Sequence, residues 1–118
     1  MTVRRLKRYA SDTGRVYEYY FVEKRPALTF CGTGVEYVYD VSCDRQRSVF
    51  AVSVLVLDEA AADWAARHGR ALDDRERYAA AKLELHRAFD EIEDLHQFHR
   101  QLQVGPEKLE ELLAPLDL

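Results

Sequence analysis

Cysteine is scarce in this chain, and that scarcity narrows the field first. Cys31 and Cys43 are too few for the disulfide framework of a small secreted domain, and the eleven residues between them do not match a zinc knuckle. Both are read as reduced thiols on small, buried side chains. No apolar segment approaches the ~20 residues that a membrane helix needs. The start, MTVRRLKRYAS, is basic but has no apolar stretch behind it, so it is not expected to act as a signal peptide. The expected location is the cytoplasm, with no membrane partner.

Motifs are scarce too. Cys31-Gly32-Thr33-Gly34 is glycine-rich but too short for a phosphate loop, and no helix follows it to add converging amides. There is no nucleophile elbow, no RNP-type aromatic motif and no clamping Gly-x-x-Gly loop. Internal repeats, low-complexity tracts and domain-splitting linkers are missing. The 118 residues are therefore read as a single domain, 1–118, large enough for one hydrophobic core. No cofactor is implied, and no small-molecule ligand is specified.

What is present begins with Val49–Leu57, VFAVSVLVL, in which eight of nine residues are apolar. Its valines favour a strand, because a branched β-carbon packs well on a pleated surface. Strand side chains alternate between two faces, so a strand apolar on both must be covered on both.

The first half, about 5–57, reads as strands. Arg5–Ala10 and Val16–Glu23 flank Ser11-Asp12-Thr13-Gly14, whose glycine can take a positive φ, and together they predict a hairpin. Lys24–Gly34, with Pro26 inside, reads as a loop or irregular edge. Val35–Ser42 is the third strand and Val49–Leu57 the fourth, expected at the centre of the sheet. Alternation places Tyr17, Tyr19 and Phe21 with Val35, Tyr37, Tyr39 and Val41 on the core side, and Glu18, Glu36 and Asp40 on the wetter side.

The second half, about 58–116, reads as three helices. Asp58 is placed to cap the first, with Gly69 ending it. Asp73 or Asp74 caps a second that could run to Gln103. Unbroken, it would exceed ~40 Å, which predicts a kink or break near Glu93–His96. Pro106 suits the first position of a third helix striped by Leu109, Leu112, Leu113 and Leu116. The fold class is α+β: a four-stranded antiparallel meander followed by three helices packed on one face.

Three functional readings follow. Three helices can cover one face of such a sheet, leaving the second face of Val49–Leu57 to sheet curvature, to Lys24–Gly34 or to another subunit. The favoured reading is a non-enzymatic interaction or regulatory module that self-associates as a homodimer, with Leu112, Leu113 and Leu116 adding apolar surface. The second reading uses the charge asymmetry. Residues 1–57 carry nine Lys/Arg against six Asp/Glu, and 58–118 carry eight against fifteen. Arg4, Arg5, Lys7, Arg8 and Arg15 could contact the phosphates of a nucleic acid or another polyanion. Tyr9, Tyr17, Tyr20 and Tyr37 could stack on its bases, although tyrosine and edge charges are also ordinary strand features. The third reading is a metal site. Glu93, His96 and His99 are spaced by three residues on one helix face. A site needs at least three ligands, and pairs on one helix arise readily by chance. His86, ten residues before His96, points elsewhere.

Overall fold

The computed structural model describes residues 5–43, 46–92, 95 and 101–118. It is an α+β structure: β1 (Lys7–Ala10), β2 (Val16–Thr29), β3 (Gly32–Cys43), β4 (Gln46–Leu57), α1 (Asp58–His68), α2 (Asp74–Glu91), β5 (Leu102–Val104) and α3 (Pro106–Leu113), closed by a short 3-10 turn, Ala114–Leu116. The strands form one sheet in the order β1-β2-β3-β4-β5, curled as a half-barrel.

The antiparallel meander of β1 to β4 is as expected, but a fifth strand joins it. β5 pairs parallel to β4, with Val54 opposite Leu102 and Val56 opposite Val104. Its three residues are too short for a periodic signal, and Leu102 also fits helical spacing, which is why the segment read as the tail of a helix. α2 in fact ends at Glu91, where Ile92 turns extended at φ −94°, ψ 111°.

Lys24–Gly34 is not a loop. β2 and β3 pair from Tyr17–Cys43 out to Thr29–Gly32, so this segment is the outer half of one long hairpin. Pro26 fits within it because β1 reaches only to Tyr19, leaving the outer edge of β2 with no ladder to break. Gly32 closes the turn at φ +124°, which favours glycine.

The helix boundaries follow local chemistry. Asp73 accepts from the Glu76 backbone N–H at 2.8 Å while Glu76 accepts from that of Asp73 at 2.9 Å, a full capping box. α1 differs from expectation: Asp58 is its first residue rather than its cap, and serves with Glu59 as negative charge near the dipole's positive end. Gly69 ends α1 at φ +73°. α3 is tied to α2 by Lys108–Glu84 at 3.0 Å and to α1 by His68–Glu110 at 2.8 Å, so the three helices form one connected layer.

The alternation of β2 and β3 predicts the core face correctly. Tyr17, Tyr19, Tyr37, Tyr39 and Val41 are buried, joined by Phe50, Val52, Val54 and Val56 of β4 and by Leu85 and Phe89 of α2. The other face of β4 is divided. Leu55 and Leu57 are buried, whereas Val49 is 61% exposed and Ala51 is exposed.

Candidate functional site

Rings from β1, β2 and α2 meet at one end of the core face. Register sets Lys7 opposite Tyr19 and Tyr9 opposite Tyr17, so Lys7 and Tyr9 lie on the face that α2 covers. The helical period brings Lys82, His86 and Asp90 of α2 over the same strip, four residues apart. The His86 ring stacks on Tyr9 with centroids 4.3 Å apart, and its Nε2 lies 2.7 Å from the Tyr19 hydroxyl. The Tyr9 hydroxyl donates to Asp90 at 2.7 Å, and the Asp12 backbone N–H donates to the other Asp90 oxygen at 2.9 Å.

The electrostatics here are perturbed. Burial pushes the His86 pKa down to about 4, helped by the charges of Lys82 and Lys7 and opposed by Asp90, so the ring is neutral at pH 7. Burial raises the Tyr19 hydroxyl to about 12. The hydrogen bond to Asp90, with burial behind it, raises Tyr9 to about 12. The neighbouring Lys7, with burial, lowers the Lys82 pKa. Among the described residues, neither lysine has a carboxylate partner within 4 Å.

Two further polar networks brace the frame. Glu84 of α2 is fully buried and accepts from Arg87 at 2.6 and 2.8 Å and from Lys108 at 3.0 Å. On the opposite sheet face, Glu36 is buried between Arg25 and Gln101. Burial alone would raise its pKa, but those hydrogen bonds and the Arg25 charge hold it below the usual range.

A third feature is the outer hairpin. α2 begins at Asp74, 3.8 Å from Lys24, so the strands run beyond the helix layer. Two adjoining apolar grooves, of about 200 and 310 Å³, open where the helix stops. Tyr37 and Lys24 line both, with Pro26 and Val35 in one and Phe21 and Tyr78 in the other. Beyond them, Leu28 is 82% exposed and Phe30, at the tip, fully exposed.

The residues singled out from sequence are scattered. Among the basic set, Arg5 is exposed, Arg8 pairs with Glu18 at 3.5 Å, and Arg15 closes the β1–β2 turn, its carbonyl accepting from Ser11 N–H at 2.8 Å. The β1 register puts Lys7 on the face that α2 covers. Arg4, Glu93, His96 and His99 lie outside the described residues. Among the described residues, no cluster of three His, Cys, Asp or Glu could hold a metal. Tyr17 and Tyr37 are core residues and offer no face for base stacking, while Tyr20 donates to Asp40 at 2.8 Å on the other side of the sheet. Cys43 is buried as expected, but Cys31 is exposed because it sits in the hairpin turn. Leu113 is buried in the core and Leu112 packs against it, which leaves only Leu116 of that stripe as apolar surface.

The residues that converge, Lys82 with His86 and Glu84 with Lys108, carried no local signature. The one available hint was the i, i+4 spacing of Lys82, His86 and Asp90 on a helix expected to cover a tyrosine-lined strand. No known protein family, curated protein or solved structure matches this chain. Among the described residues, no helix is long and apolar enough to cross a membrane.

Proposed function

We propose that this chain is a non-enzymatic interaction module that self-associates as a symmetric dimer through its outer hairpin. One observation carries the reading: the apolar arm of Pro26, Leu28 and Phe30 extends past the helix layer beside apolar grooves on the same face. A surface bearing both a projection and a recess of matching chemistry is self-complementary about a two-fold axis. The contact uses the face of the arm rather than its edge. Edge pairing is opposed by the bulge between Phe21 and Glu23, by the charges of Glu23, Lys24 and Arg25, and by Pro26.

The affinity is expected to be modest. Burying Leu28 and Phe30 from both copies contributes about 8 kcal/mol at ~2 kcal/mol per side chain. Association costs at least ~4 kcal/mol, and the remaining ~4 kcal/mol corresponds to a dissociation constant of about 1 mM. Sedimentation equilibrium between 10 and 500 μM is the test. The wild-type chain should shift toward the dimer mass, and Leu28→Ser/Phe30→Ser should remain monomeric with an unchanged far-UV spectrum. A monomeric wild type at 500 μM, or a variant that dimerises equally well, would refute it.

A further inference from the structure

Arg77 is half-buried and lacks the partners that such an arginine needs. It stands in the first turn of α2 and lines the smaller of the two apolar grooves, together with Lys24, Pro26, Val35 and Tyr37. Its Nε is buried without a hydrogen-bond partner, and among the described residues no carboxylate lies within 4 Å of its guanidinium. The other cations of the grooves are provided for. Lys24 meets Asp74 at 3.8 Å, Arg25 is held by Glu23 and Glu36, and Arg75 is exposed, so water reaches its donors. A buried donor with no acceptor costs free energy and calls for an explanation.

We propose that the two grooves form one binding site for a small aromatic carboxylate, its charge on Arg77 and its ring against Phe21, Tyr37 and Tyr78. The lining decides the ring. Tyr37 belongs to both grooves, Tyr78 lies 6.0 Å from it, and Phe21 stands edge-on to Tyr78 at 5.3 Å. A further ring gains from edge and face contacts with these beyond the area it buries. The larger groove, at about 310 Å³, reaches the lower end of small-molecule sites, roughly 300 Å³. The unmet donor decides the head group. A carboxylate is planar and accepts two parallel hydrogen bonds from one edge of a guanidinium. With the long Arg77 side chain turned to it, the carboxylate supplies both the counter-charge and the acceptor that the chain does not. The Arg77 charge already reaches the groove floor, where it opposes the rise that burial gives the Tyr37 hydroxyl. Asp74 at the rim disfavours a second negative charge.

The ring takes the recess that the proposed dimer gives to Phe30 of a second copy, so ligand and second copy exclude each other. The site itself needs no dimer. At 50 μM, well below a dissociation constant of about 1 mM, the chain is monomeric and the grooves are free.

The test is an NMR titration of the wild-type chain at 50 μM with 3-phenylpropionate, followed at the Val35 methyls and the Tyr78 ring. A saturable shift of both is expected. The alcohol 3-phenylpropan-1-ol keeps the ring without the charge and should bind at least tenfold more weakly. Acetate keeps the charge without the ring and should give no saturable shift. Arg77→Met keeps an apolar stem and removes the unmet donor. It should weaken 3-phenylpropionate about tenfold, the worth of one hydrogen bond to a charged group, and without ligand should melt no lower than wild type. Arg8→Gln removes an arginine from the other sheet face, where it pairs with Glu18, and should bind as wild type does. Equal binding of the alcohol, or undiminished binding by Arg77→Met, would overturn the contact between carboxylate and Arg77. A lower melting temperature of Arg77→Met would overturn the unmet donor. Tighter binding of hexanoate than of 3-phenylpropionate would overturn the aromatic assignment, and no saturable shift at 20 mM 3-phenylpropionate would overturn the site.

Discussion

Mild acid should destabilise this protein through one residue, His86. In the folded chain its pKa is held down to about 4, while the unfolded chain has the ordinary value of 6.5. Between these values the unfolded state binds more protons, so stability is complete above pH 6.5 and is lost as pH falls toward 4. For such a pair of values, linkage gives a loss of roughly 2.5 kcal/mol between pH 7.5 and pH 4.5. The ring is only half-buried, and solvent screening reduces this to about 1–1.5 kcal/mol. Carboxylates contribute their own loss over this range. Glu76 is held down to about 2 by its hydrogen bonds from Arg70 and from the Asp73 backbone, and Glu36 is also held low. The comparison is therefore with His86→Gln, which keeps an amide near Tyr19 but does not titrate. Urea unfolding, followed by fluorescence of the single, buried Trp64, gives both stabilities at several pH values. Wild type should lose about 1 kcal/mol more than His86→Gln between pH 7.5 and 4.5. Equal losses in the two proteins, or a greater loss in the variant, would refute the assignment of a neutral, desolvated His86.

Further substitutions probe the frame. A Cβ on Gly34 would lie 2.4 Å from the Val56 carbonyl oxygen and 3.0 Å from Leu57 Cα, so β3 and β4 must part, and Gly34→Ala should cost about 3 kcal/mol or more. Gly14→Ala meets no atom but sits at φ +83°, and thermal unfolding should show the smaller cost of about 1 kcal/mol. Arg87→Met/Lys108→Met strips the buried Glu84 carboxylate of both cations and should cost about 3–5 kcal/mol by urea unfolding, with Glu84→Leu in that background restoring most of it.

Much of this fold was legible because its signals are local and periodic. The turn at Ser11–Gly14, the cap at Asp73 and the stop at Gly69 each rest on one residue whose backbone or side chain has a specific use there. The aromatic side of β2 and β3 follows from alternation over several residues. The errors come from features decided at a distance. Pro26 belongs to a strand only because β1 is too short to reach it, and β1's length cannot be read from the residues around Pro26. β5 is a strand only because β4 offers it a ladder. The candidate site is of the same kind. Tyr19 and His86 are unremarkable in sequence, 67 positions apart, and meet only when α2 packs over β2.

The second apolar face of Val49–Leu57 calls for a cover, and the proposed dimer contact lies elsewhere. At Leu55 and Leu57 the face is already closed within the chain, where Gly34 lets β3 approach so closely that no side chain would fit. At Val49 and Ala51 it is open, but Val38, Asp40, Ser42 and Ser53 surround it with half-exposed, largely polar neighbours, which suits water as well as protein. The uncompensated apolar surface lies instead on the arm, at Leu28 and Phe30. A core strand needs burial to fold, and β4 has obtained it. An arm that reaches past its own helix layer with a bare phenylalanine at the tip gains nothing for its own fold from that residue, and in the proposed dimer the apolar grooves at its base receive that ring from the second copy.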